Sequence, residues 1–97
     1  MKILAISKES EGVNWDNEQI AMKKEASQVY DLYLSGKLRE IYFTENYDAV
    51  LILECQDIQE AKKVVNRLPL VKNKLIRFEF MQLNPYTGLS RIMDLSK

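Results

Sequence analysis

Glu25 lies three residues after Met22 and four before Val29 in a run of helical periodicity, which sets a carboxylate at the border of an apolar stripe. Glu18 stands two turns earlier on the same face. Burial against Met22, Val29 and Leu32 would raise the pKa of Glu25 toward the range in which a carboxylate serves as a general base near neutral pH. Arg39 and Arg77 are the candidates for holding an anion, because a guanidinium engages a carboxylate through two parallel hydrogen bonds. Together these residue types suit proton abstraction by Glu25, with an arginine beside the negative charge that develops. Each also has a plainer reading. Glu25 can extend to water or pair with Arg39 or a lysine, and Arg77 can pair on the surface with Glu79 or a cross-strand acid.

Trp15 and Tyr42 are the aromatic candidates for lining a binding site, Trp15 as a lid from a Gly-containing loop ahead of the helix. Tyrosines at helical or strand spacing, such as Tyr30, Tyr33 and Tyr42, equally suit a core with a polar tip at its edge. The chain has no histidine, which removes Ser-His-Asp and Cys-His nucleophile systems, the imidazole base and every His-containing zinc set. Cys55 is the single cysteine and ends an apolar run, so a buried, inert thiol is expected and an intrachain disulfide is excluded. No EF-hand-like spacing of acids is present, and no cofactor or metal is expected.

These side chains need a scaffold, and 97 residues suffice for one domain, 1–97, with a single core that self-association would help to stabilise. Fourteen Lys and Arg balance fourteen Asp and Glu without clustering, which argues against nucleic-acid and membrane partners. With no signal-like or membrane-length apolar segment, a cytoplasmic location is expected.

KILAIS (2–7) is apolar on both faces and predicts a central strand. Asn14 or Asp16 then caps a helix carrying Met22, Ala26, Val29 and Tyr33, with Gly36 just past its end. LREIYFT (38–44) alternates, with Arg39, Ile41 and Phe43 on one face and Leu38, Glu40 and Tyr42 on the other. It predicts a hairpin with the fully apolar AVLILEC (49–55). Asp57 and Glu60 form a capping-box-like start to a second helix with Ile58, Ala61, Val64, Val65 and Leu68 on its apolar face. Pro69 disfavours helical geometry at Leu68 and ends it. KLIRFEFMQL (74–83) predicts an edge strand, with Ile76, Phe78 and Phe80 on one face.

The order strand-helix-strand-strand-helix-strand predicts an α+β, ferredoxin-like βαββαβ fold with a four-stranded antiparallel sheet and both helices on one face. Residues 3–6 and 49–53 are nevertheless apolar on both faces, so the bare face needs a cover. A second copy of the same sheet is the simplest one, predicting a face-to-face homodimer or higher oligomer. Residues 83–97 add Leu89, Ile92, Met93 and Leu95, which suits a C-terminal arm packed on its own domain or on the partner.

KKE (Lys23–Glu25), GKLR (Gly36–Arg39), LPL (Leu68–Leu70) and the Asn84-Pro85 turn, in this element order, resemble the muconolactone Δ-isomerase-like group of the dimeric α+β barrel superfamily over about residues 1–90. The resemblance implies paired sheets closing a barrel, ligand pockets between sheet and helices, and an acid at the position of Glu25. It implies an isomerase that moves a proton on carbon next to a carbonyl, acting on a small organic acid or lactone. In this frame Leu68, Pro69, Leu70 and Val71 fill space under a turn or at a subunit contact, or else line the pocket. Three functions stay open: an enzyme with Glu25 as base, a non-catalytic ligand-binding module, and an assembly protein whose pocket is filled by its own side chains.

Overall fold

The computed structural model describes residues 1–93; Leu95, assigned above to the C-terminal arm, lies outside them. Its elements are β1 (Lys2–Glu9), α1 (Gln19–Leu34), β2 (Leu38–Phe43), β3 (Ala49–Glu54), α2 (Ile58–Val65), a single turn α3 (Pro69–Lys72) and β4 (Ile76–Leu83). The sheet order is β2-β3-β1-β4 with every neighbour antiparallel, the ferredoxin-like arrangement. The apolar runs at 2–7 and 49–55 therefore occupy the two central strands, each with a hydrogen-bonded neighbour on either side and one face buried under the helices.

Strand alternation sorts the sheet into two faces. Under the helices, one row runs Leu38, Leu53, Ile3 and the next Ile41, Leu51, Ala5, Phe80. Ile3, Ala5, Leu38, Leu51 and Leu53 are fully buried there, together with Ala61, Val64 and Val65 of α2. On the opposite face Glu40, Ile52, Leu4 and Met81 form one row and Tyr42, Val50, Ile6 and Glu79 the next. No helix covers this second face, and its central aliphatic residues remain half-buried.

β2 departs from the simple alternation. Leu38 pairs with Leu53 and Glu40 with Ile52, so an extra residue, Arg39, is accommodated between them as a bulge. The bulge puts Leu38 on the same face as Ile41 and Phe43 and turns Arg39 out, correcting the assignment of Arg39 to the Ile41 face. Arg39 Nε donates instead to the Gly36 carbonyl at 2.7 Å.

The helix ends follow local rules. Asn14 Oδ1 accepts from the Asp16 N–H at 3.1 Å and opens a 3₁₀ turn, Trp15–Glu18, that leads into α1. Gly36 follows α1 with φ +83°, a left-handed conformation that suits glycine. Asp57 Oδ1 accepts from the Glu60 N–H at 2.8 Å and caps α2. After α2 the chain is extended at Leu68, and Pro69 is the first residue of α3, where its missing N–H costs nothing. Leu68 is 2% exposed. Leu68→Ala is expected to cost about 3 kcal/mol, read as a lowered urea midpoint with unchanged slope; a loss under about 1 kcal/mol would mean that this connection is only a loop.

Beyond β4 the arm is in contact with water: Tyr86, Leu89, Ile92 and Met93 are all exposed. Cys55 is buried, and burial, followed by the nearby Glu60, pushes its thiol pKa up, so it stays protonated and unreactive. Among the described residues no helix is long and apolar enough to cross a membrane, and no group of three or more Cys, Asp and Glu side chains could hold a metal.

Candidate functional site

α1 contributes no fully buried residue: Val29 and Leu32 pack against the core, and along Met22, Glu25 and Ala26 the helix stands off the sheet across a cavity. Between it, the sheet and α3 lies a cavity of about 590 Å³, within the size range of small-molecule sites. Met22, Ala26 and Val29 of α1 form the roof, Ile41, Leu51 and Phe78 of the sheet the floor, and Leu68 and Leu70 one end. The apolar Leu-Pro-Leu connection therefore serves both core and cavity wall: Leu68 fills the interior while Leu70 closes the site.

Glu25 projects from α1 into this lining and is half-buried. Its Oε1 accepts from the Leu70 N–H at 3.1 Å, one of the backbone donors left free at the start of α3. Burial raises the pKa of its carboxyl above the usual value, and the Leu70 hydrogen bond opposes this only in part. The ion pairs among the described residues are Met1 with Glu54 and Lys8 with Asp48, so Glu25 has no cationic partner there. Neither solvent exposure nor pairing with Arg39 describes it.

Trp15 also lines the cavity, and its indole N–H donates to Glu9 Oε1, tying the loop ahead of α1 to the end of β1. Tyr47, in the β2–β3 turn, has φ +61°, uncommon for a non-glycine residue. Its ring lies 6.0 Å from that of Phe43, and the two, 80% and 71% exposed, flank the mouth.

The other candidates are elsewhere. Tyr42 and Arg77 alternate onto the uncovered sheet face, away from the helices, and Arg39 is in the bulge; none of the three lines the cavity. The Tyr42 hydroxyl donates to Glu40 at 2.7 Å, and that bond raises its pKa. Arg77 lies opposite Lys8 at the end of β1. No arginine thus faces Glu25 across the cavity. Glu18, at the end of the 3₁₀ turn, lines a separate open groove with Lys24 and Lys72.

Ser7 is the residue that pattern reading passed over. It is 5% exposed, lines the cavity floor, and its Oγ accepts from the Ala49 N–H at 2.7 Å. Accepting that bond leaves the hydroxyl proton free to donate. The signal was its register: Ser7 continues the inward series Ile3, Ala5, placing a hydroxyl between these alkyl groups and Glu9 at the strand's end.

The fold and site define a ferredoxin-like α+β domain with an apolar cavity between helix and sheet, floored by one hydroxyl and roofed by one perturbed carboxylate. Neither a protein-family model nor a curated protein matches the sequence. Among solved structures the chain is similar to the 5-chloro-2-hydroxyhydroquinone dehydrochlorinase TftG of Burkholderia phenoliruptrix AC1100, solved in complex with 2,5-dihydroxybenzoquinone. The TM-score is 0.62 at 18% identity, over 91% of this chain and 98% of that one, which is a likeness of fold.

Proposed function

We propose that the protein is a homodimeric small-molecule-binding barrel, muconolactone isomerase-like, in which Glu25 transfers a proton at a carbon next to a carbonyl. The observation that carries this reading is the half-buried Glu25 carboxylate, raised in pKa and set in the lining of a 590 Å³ apolar cavity. In the step envisaged, the Glu25 carboxylate takes the proton, the C–H electrons move into a carbon–carbon double bond, and the carbonyl π pair moves to oxygen. The resulting carboxylic acid returns the proton to another carbon, completing an isomerisation without any external reagent. With Arg39 and Arg77 outside the cavity, the Ser7 hydroxyl is the donor for the developing oxyanion. A structural neighbour named as a dehydrochlorinase and holding a dihydroxybenzoquinone supports small ring compounds as ligands on this fold.

The dimer part of the proposal rests on the uncovered face, where Leu4, Ile6, Val50 and Ile52 form an aliphatic centre that a second copy would bury. An assembly protein with a filled pocket is disfavoured by the open cavity.

Trp15, the single tryptophan, lines the cavity and so reports its occupancy. Titration with a panel of lactones and hydroxyquinones is expected to change its fluorescence saturably, and a wild-type turnover of one of them to be lowered at least tenfold by Ser7→Ala. Saturable binding without any chemical change would favour the non-catalytic module; no fluorescence response across the panel would sink both.

A further inference from the structure

The cavity's charge is one-sided. Its ionisable lining consists of Glu9, Glu25, Asp48 and Tyr47, and no lysine, arginine or histidine is among its lining residues. Asp48 has Lys8 at 3.6 Å, and Glu9 receives the Trp15 indole N–H, a neutral donor that leaves its charge in place. Apart from Ser7, the remaining surface is aliphatic or aromatic. A ligand carboxylate entering here would lose its water, find no cation and face carboxylates of the same sign, and each of these disfavours the anion.

Uncharged polar groups meet better terms. Ser7, nine-tenths buried and with its proton uncommitted, can donate to a carbonyl oxygen. The free oxygens of Glu9 and Glu25 can accept from a ligand hydroxyl, and Trp15, Phe43 and Phe78 offer ring surface. Building on the reading of this cavity as the ligand site, the geometry points to an uncharged, ring-bearing hydroxycarbonyl compound as its ligand, with organic-acid anions rejected. The family resemblance admitted an organic acid or a lactone; the lining selects a lactone or related carbonyl compound that carries no carboxylate.

Two nearly isosteric probes separate charge from shape: 4-hydroxybenzamide and 4-hydroxybenzoate, titrated by calorimetry at pH 7.5 into the wild type and Glu9→Gln. The glutamine keeps an oxygen for the Trp15 N–H and removes one negative charge. The amide is expected to bind at least about tenfold more tightly than the acid, and Glu9→Gln to narrow the gap by strengthening the acid alone. Acid binding as tight as the amide's, or a gap that Glu9→Gln leaves unchanged, overturns the charge inference while the cavity stands as a ligand site. No heat with either probe, together with no Trp15 response to the lactones and hydroxyquinones, overturns the inference and the ligand-site reading together.

Discussion

Glu25→Gln is expected to lower turnover by about 10²–10⁴-fold and at the same time to make the protein more stable at neutral pH. The two effects share one cause. Burial disfavours the ionised carboxylate, which lifts its folded pKa above the ordinary 4.5. A carboxyl with a raised folded pKa favours folding while it is protonated, and that contribution is lost as pH rises through the folded value. Above that value the wild type therefore carries a desolvated charge that glutamine does not, while glutamine can still accept the Leu70 N–H. Part of the charge is screened by water, so the gain at pH 8 should be modest, about 3 °C in Tm. It should vanish at pH 4, where the wild-type carboxyl is protonated as well. Melting curves at both pH values and turnover at pH 8 check the two halves. A variant less stable than wild type at both pH values would make Glu25 a structural anchor of α3, and unchanged turnover would remove it as the base.

Ile52→Lys is expected to convert a dimer into a folded monomer. Ile52 sits beside Leu4 in the central row of the uncovered face, with Val50 and Ile6 in the next row. If a second copy covers this face, burial of each such side chain contributes roughly 1.5–3 kcal/mol, and both copies of residue 52 lie in the contact. A two-fold axis doubles any substitution, so two ammonium groups would have to lose water, with Glu40 of the neighbouring strand as the nearest acid and its carboxylate already accepting from the Tyr42 hydroxyl. The dissociation constant should rise by at least about 10³-fold, because the apolar gain is lost and desolvation opposes closure. Light scattering after gel filtration reads the mass, and far-UV circular dichroism checks that the fold persists, since position 52 faces away from the helix-covered core. A variant that remains dimeric would place the interface elsewhere on the subunit.

The element order and both central strands were readable because strands apolar on both faces leave an unmistakable continuous run, as at 2–7 and 49–55. The cap at Asp57 was readable because capping is local, whereas Asn14 caps the 3₁₀ turn ahead of α1 and α1 itself starts after Glu18 without a side-chain cap. Arg39 was not: one inserted residue reverses a strand's inside and outside, and no residue type near Leu38 announces it. Arg77 is a different case, since the sequence already set it opposite Ile76, Phe78 and Phe80, the face that a helix carrying Glu25 must cover. Combining the two periodicities would have placed them on opposite sides of the sheet. Two contacts of the site had no sequence signature, the Leu70 N–H on Glu25 and the Trp15 indole on Glu9, because both join elements through the tertiary fold.

The stand-off of α1 has a consequence for how the domain breathes. Its neighbour α2 is fastened by Ala61, Val64 and Val65, all buried, whereas α1 has no residue of that kind along its 16 residues. Amide protons of α1 should thus exchange through a local opening well below the global unfolding free energy, while those of β1 and β3 exchange only when the whole domain unfolds. Such an opening uncovers the cavity without disturbing the sheet, so a guest enters by peeling back its roof. Occupancy would then slow exchange selectively in α1, the less protected of the two long helices becoming the one that most clearly records the guest.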